Sequence, residues 1–149
     1  MYTIGMICER NVICAGADTT VQNAAKLMRE YHVGSLVVVD VAAGGRRPVG
    51  IVTDRDIVVE VSALDLDPKV LTVGDIASPR LVTVFEGEGL QETLAIMCGE
   101  CVRRLPVVDD DGNLAGILSY DDLLTTLTRQ LADAAVSLGG GREKAAQGR

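Results

Sequence analysis

Apolar positions along the chain fall into two periods. Val21, Ala24, Ala25 and Met28 recur at i, i+3, i+4 and i+7, with Leu27 and Tyr31 widening the stripe, so the spacing predicts a helix from Thr20 to His32. Thr19 followed three places on by Gln22 has the pattern of a capping box, and Gly34 stands where such a helix should stop. Leu36-Val37-Val38-Val39 is a continuous apolar run too short for a helix and reads as a buried strand. A shorter strand is expected at Val12-Ile13-Cys14. The polar loop Ala43-Gly44-Gly45-Arg46-Arg47 leads into Val49-Gly50-Ile51-Val52, as in an antiparallel hairpin. A helix then begins after Thr53, carries Ile57, Val58 and Val61, and ends between Asp65 and Pro68.

The same order returns. Displaced by 69 residues, Gly5, Ile7, Gln22, Met28, Val33, Leu36, Val38, Val39 and Asp40 meet identical residues at Gly74, Ile76, Gln91, Met97, Val102, Leu105, Val107, Val108 and Asp109. Past the hairpin loop the displacement falls to 66, and Gly50, Ile51 and Asp56 meet Gly116, Ile117 and Asp122. A length change confined to a turn is what a structural repeat tolerates. The period is too long for a solenoid unit and predicts an α+β fold of two β-α-β-β-α units. The first spans 4–68 and the second 69–130. Residues 131–149 hold the end of a final helix, expected to stop near Leu138, and a disordered tail.

Composition changes this picture only at the edges. Apolar residues make up 48% of the chain and aromatics 3%, so the core must be aliphatic. Neither half is large enough for a generous core of its own, so the halves should share one. A formal charge of −7 argues against nucleic acid or an anionic membrane as main partner. No apolar run reaches the ~20 residues that span a bilayer, and Met1-Tyr2-Thr3-Ile4 lacks the start of a signal peptide, so the expected location is cytoplasmic. Cys8, Cys14, Cys98 and Cys101 then read as small reduced thiols. Cys98 and Cys101 form a C-x-x-C inside a predicted helix, with no second pair at a zinc-ribbon spacing.

The pairing of His32-Val33-Gly34-Ser35-Leu36-Val37-Val38-Val39-Asp40 with Gly50-Ile51-Val52-Thr53-Asp54-Arg55-Asp56 resembles the signature of a cystathionine-β-synthase (CBS) domain. It is echoed by Val102-Arg103-Arg104-Leu105-Pro106-Val107-Val108-Asp109 with Gly116-Ile117-Leu118-Ser119 and Asp122. The leader Val73-Gly74-Asp75-Ile76 through Leu81-Val82-Thr83-Val84 is similar to the start of such a domain. The resemblance covers residues 4 to 130. It implies a tandem Bateman module whose two repeats pack about a pseudo-twofold axis, stand alone as a homodimer, and regulate a protein partner. It also implies clefts between the repeats for AMP, ADP, ATP or related ligands such as S-adenosylmethionine and NAD.

The residues support such a cleft on their own chemistry. A hydroxyl at a strand end followed by a helix sets free backbone N–H groups and the positive end of the helix dipole beside a ligand. Thr53 or Ser119 adds a hydroxyl for phosphate, and Asp56 or Asp122, one turn in, can accept from both hydroxyls of a ribose. Arg55 adds a guanidinium in the first copy, where the second has Asp121. The expectation is therefore that the Asp56 cleft holds an anionic nucleotide better, while the Asp122 cleft is empty, weaker, or borrows charge from Arg103 or Arg104. The adenine is expected beside Ile13-Cys14 or Val82-Thr83 and the segment from Val33 to Val37, with Ser35 in it, or Val102 to Pro106.

Ser/Thr-x-x-Asp is equally the pattern of a helix cap, and both copies can serve only to start a helix. A ligand-free dimeric scaffold is the alternative function, and the apolar helix Leu123 to Leu138 offers it a face. An enzyme is not expected: the only histidine, His32, has no nucleophile identifiable beside it, and no Walker loop is present.

Overall fold

The computed structural model describes residues 2–78 and 80–147. Its first repeat runs α1 (Ile4–Ile7), β1 (Cys14–Ala15), α2 (Val21–Tyr31), β2 (Ser35–Asp40), β3 (Arg47–Thr53) and α3 (Asp54–Ile57). The second runs α4 (Val73–Ile76), β4 (Val84–Phe85), α5 (Leu90–Glu100), β5 (Arg104–Val108), β6 (Leu114–Ser119) and α6 (Tyr120–Gln147). Each repeat builds a three-stranded sheet with the central strand parallel to the first and antiparallel to the third. The two sheets share their irregularities: a bulge between Val38 and Val39 recurs between Val107 and Val108. His32 and Cys101, equivalent residues, both close their helices in the left-handed region, with φ of 54° and 55°.

The central strands are buried on both faces, which is why they read as unbroken valine and leucine runs. Leu36, Val38 and Val52 pack with Ala24 and Met28 in one core, and Leu105, Val107 and Leu118 with Leu90 and Met97 in the other. A third cluster of Val37, Val39 and Leu114 joins the sheets. Each fully buried aliphatic chain contributes roughly 1.5–3 kcal/mol.

The leaders are exchanged between repeats. Ile4 of α1 is fully buried in the second core, and Val73 of α4 is fully buried in the first. Backbone bonds hold both in place: Ile4 N–H donates to the Glu88 carbonyl and Val73 N–H to the Thr19 carbonyl. The packed cores therefore do not share the boundaries of the sequence repeats.

Local elements differ from the sequence reading in four places. Thr20, not Thr19, caps α2, its hydroxyl accepting the Asn23 N–H at 3.2 Å. Thr19 instead accepts from Gly16 N–H, closing the turn before the helix. The first strand lies at Cys14–Ala15 rather than Val12–Cys14, because only those two residues pair with Val37 and Val38. Helix α3 passes into a wider π turn at Val58–Ser62, which adds a residue to the turn and leaves Val58 exposed while Val61 is buried. Finally, α6 runs past Leu138 to Gln147. Glycine disfavours a helix by about 1 kcal/mol each but keeps its N–H, so Gly139 and Gly140 weaken the ladder without breaking it.

Candidate ligand-binding site

Each repeat ends its third strand on a hydroxyl residue that caps the next helix, and the two caps differ. In the first, the Thr53 hydroxyl accepts the Asp56 N–H at 3.1 Å while the Asp56 carboxylate accepts the Thr53 N–H at 2.8 Å. That is a closed capping box. In the second, the Ser119 hydroxyl accepts the Asp122 N–H at 3.0 Å. The Asp122 carboxylate accepts no bond in return from any described residue, and it is exposed.

Asp122 lies on the wall of a cavity of about 280 Å3 between the repeats. Ser119 and Arg104 line it from the second repeat, and Ile13, Val33 and Ser35 from the first. The sheet register explains this grouping. Arg104 stands across the ladder from Ser119, as Ser35 does from Thr53, so both polar residues sit at strand ends facing the seam. The volume lies just below the range of about 300–1,000 Å3 usual for small-molecule clefts, so it suits a small ligand.

The neighbouring arginines divide their roles. Arg103 lies over the Tyr120 ring, 5.9 Å from its centre, and approaches Asp121 at 3.7 Å. Both members of that ion pair are exposed, so it adds little stability, and Arg103 lies on the outer surface. Arg104 is left to the cavity. Arg55 is exposed beside the first cap.

The remaining expected contacts separate. Cys14 packs against the inter-sheet cluster, where burial pushes its thiol pKa up, against an opposing pull from Arg46. Val82 and Val102 pack on the second core, Thr83 is half-buried before β4, and Pro106 is buried within β5 opposite Ile117. Four cavity residues escaped the sequence reading: Glu9, Asn11, Val12 and Ile117; His32, which closes α2, lines the cavity as well. The Glu9 carboxylate accepts the Asn11 N–H at 2.8 Å, and its backbone bridges to Ile117. Nothing in the pattern of the leader marks Glu9, because its position depends on that bridge to the other repeat.

The geometry of two equivalent caps on two equivalent sheets has a counterpart in known proteins. A sequence profile for the CBS domain matches residues 4–63 and again residues 73–129. The chain belongs to the CBS domain family. Hypoxic response protein 1 of Mycobacterium tuberculosis is 35% identical over 123 residues, 83% of each chain. A crystal structure of hypoxic response protein I, described with two coordinated zinc ions, matches this CBS pair with a TM-score of 0.72 at 34% identity, over 83% of this chain and 97% of that one. Among the described residues here, no three His, Cys, Asp or Glu side chains gather as a metal-ligand set. An uncharacterised protein of Methanopyrus kandleri is 35% identical over 122 residues, and the match spans only 61% of that protein's length. A CBS domain pair crystallised with 5′-methylthioadenosine and S-adenosyl-L-methionine matches with a TM-score of 0.72 at 25% identity, covering 87% of this chain and 98% of that one. Among the described residues, no helix is long and apolar enough to cross a membrane.

Proposed function

We propose that this CBS pair is a regulatory module, not an enzyme, and that it binds an adenosyl ligand in the cleft of Ser119 and Asp122. Asp122 holds the ribose hydroxyls, Ser119 and Arg104 meet the 5′ substituent, and Ile13 and Val33 flank the base. The observation that carries this reading is the pair of caps. The Asp122 carboxylate faces a cavity with no partner among the described residues, whereas Asp56 is already bonded to Thr53. A carboxylate in that position gains two charge-assisted hydrogen bonds from a ribose without giving up a protein contact. The adenosyl ligands of the related CBS pair have the chemistry this site suits. The favoured cleft is thus the second copy, and the guanidinium that serves it is Arg104 rather than Arg55.

Calorimetric titration of the intact chain with adenosine, AMP, ADP, ATP, S-adenosylmethionine and NAD tests the reading. Saturable binding that depends on Asp122 supports it. No heat from any ligand at millimolar concentration leaves the second reading, a homodimeric interaction scaffold. That alternative is favoured by the exposed Leu131, Val136 and Leu138 along α6, 73%, 75% and 72% accessible. Under it, light scattering gives a dimer whose mass does not respond to any of these ligands. The regulated protein partner of such a module is part of this proposal.

A further inference from the structure

The charges around the cavity do not balance. Glu9 and Asp122, both exposed, are the acidic residues of its lining, and Arg104 is its one arginine among the described residues. Two other arginines close in sequence lie elsewhere. Arg10 turns to Glu86 at 3.0 Å, the Ala115 carbonyl at 3.1 Å and the Gly5 carbonyl at 2.7 Å. Arg103 lies over Tyr120 and beside Asp121 on the outer surface. The acidic residues of the lining thus outnumber its arginine two to one, inside a chain whose own formal charge is −7.

Glu9 is fixed in this arrangement. One carboxylate oxygen accepts the Asn11 N–H, and two backbone bonds of 2.9 Å, N–H to carbonyl in both directions, tie residue 9 to Ile117 on the cavity wall. The residue equivalent to Glu9 in the other repeat is Ser78, so the acid belongs to this cleft alone.

The geometry points to Glu9 as a charge filter: the cleft selects adenosyl ligands that are neutral, cationic or singly phosphorylated at the 5′ position and turns away di- and triphosphates. This rests on the adenosyl-binding reading above and names its ligand class. The first phosphate meets Ser119, the N-terminus of α6 and Arg104. Each further phosphate adds negative charge in a space of about 280 Å3 with no second arginine among the described residues lining it, and with Glu9 and Asp122 opposing it. A sulfonium or a thioether at the same position meets no such repulsion.

The experiment is a set of magnesium-free calorimetric titrations of the intact chain and of Glu9→Gln with adenosine, S-adenosylmethionine, AMP and ATP at pH 8. Gln keeps an oxygen for the Asn11 N–H and removes only the charge. The expected result is that the wild type binds adenosine and S-adenosylmethionine more tightly than ATP. Glu9→Gln then tightens ATP about fivefold, the scale of one partly screened charge, and leaves adenosine unchanged. A second arm uses the wild type alone: the preference for adenosine over ATP should shrink as salt is raised, because a screened repulsion discriminates less. ATP binding as tightly as adenosine in the wild type, a preference insensitive to salt, or an equal shift of both ligands in Glu9→Gln overturns the filter while leaving adenosyl binding intact. Absence of binding by every ligand, adenosine included, overturns the adenosyl reading itself and the filter with it.

Discussion

The Asp56 carboxylate accepts the Thr53 backbone N–H at 2.8 Å, and the Thr53 hydroxyl accepts the Asp56 N–H at 3.1 Å. The pair satisfies two donors that the start of α3 would otherwise leave open. Asp56→Ala should therefore destabilise the chain by about 1 kcal/mol, as the loss of a helix cap does, and leave adenosyl affinity at the other cleft unchanged. Urea denaturation with parallel calorimetry checks both halves of that statement.

Gly50 and Gly116 are equivalent residues in equivalent strands, yet their surroundings differ. A Cβ on Gly116 would lie 2.6 Å from the Cys8 sulfur and 2.8 Å from the Glu9 carbonyl oxygen, whereas one on Gly50 meets nothing nearer than 3.6 Å. Gly116→Ala must push the leader off the sheet and open the Glu9–Ile117 bridge, an expected loss of about 2–3 kcal/mol. Gly50→Ala should stay within about 1 kcal/mol of the wild type. Equal midpoints for the two variants in thermal melting would contradict the close approach of the leader to β6.

Exchange of the leaders makes a residue near the start of the chain part of the second core. Ile4 is fully buried beside Val84, Leu90 and Leu123, while Met6, two residues on, is 68% exposed. Ile4→Ala should cost about 2–4 kcal/mol by denaturant titration, and Met6→Ala less than about 0.5 kcal/mol.

The four thiols should react in two classes. Burial raises the pKa of Cys8 and Cys14, with the nearby charges of Arg10 and Arg46 pulling the other way, so both stay protonated and slow near neutral pH. Cys98 and Cys101 are exposed. Iodoacetamide at about pH 7.5 should label Cys98 and Cys101 first by peptide mass spectrometry, with Cys8 and Cys14 gaining rate only as pH rises toward their raised values.

Much of the fold was legible because several of the identical pairs of the repeat are core positions. Val38 and Val107, or Leu36 and Leu105, occupy the same place in two sheets, so one reading served for both. The leader exchange was not legible, since Ile4 and Val73 show the same apolar pattern whichever core receives them. At the site, Ser/Thr-x-x-Asp marked both caps, and Ser119, Asp122, Arg104, Ile13, Val33 and Ser35 do share one cavity. Which cap keeps its carboxylate free depends on a side-chain rotamer that the motif leaves open. The division between Arg103 and Arg104 likewise turns on Tyr120, a residue whose counterpart in the first copy is Asp54.

The Asp122 carboxylate has no partner among the described residues, and a matched pair of variants tests its role most directly. Adenosine affinity is measured by calorimetry for Asp122→Ala and Asp56→Ala against the intact chain. Asp122→Ala should weaken binding by about 1.5–3 kcal/mol, the worth of hydrogen bonds to a charged group, with less than about 1 kcal/mol lost in stability, while Asp56→Ala binds as the wild type does. Unchanged affinity in Asp122→Ala, or a loss that appears in Asp56→Ala instead, would contradict it.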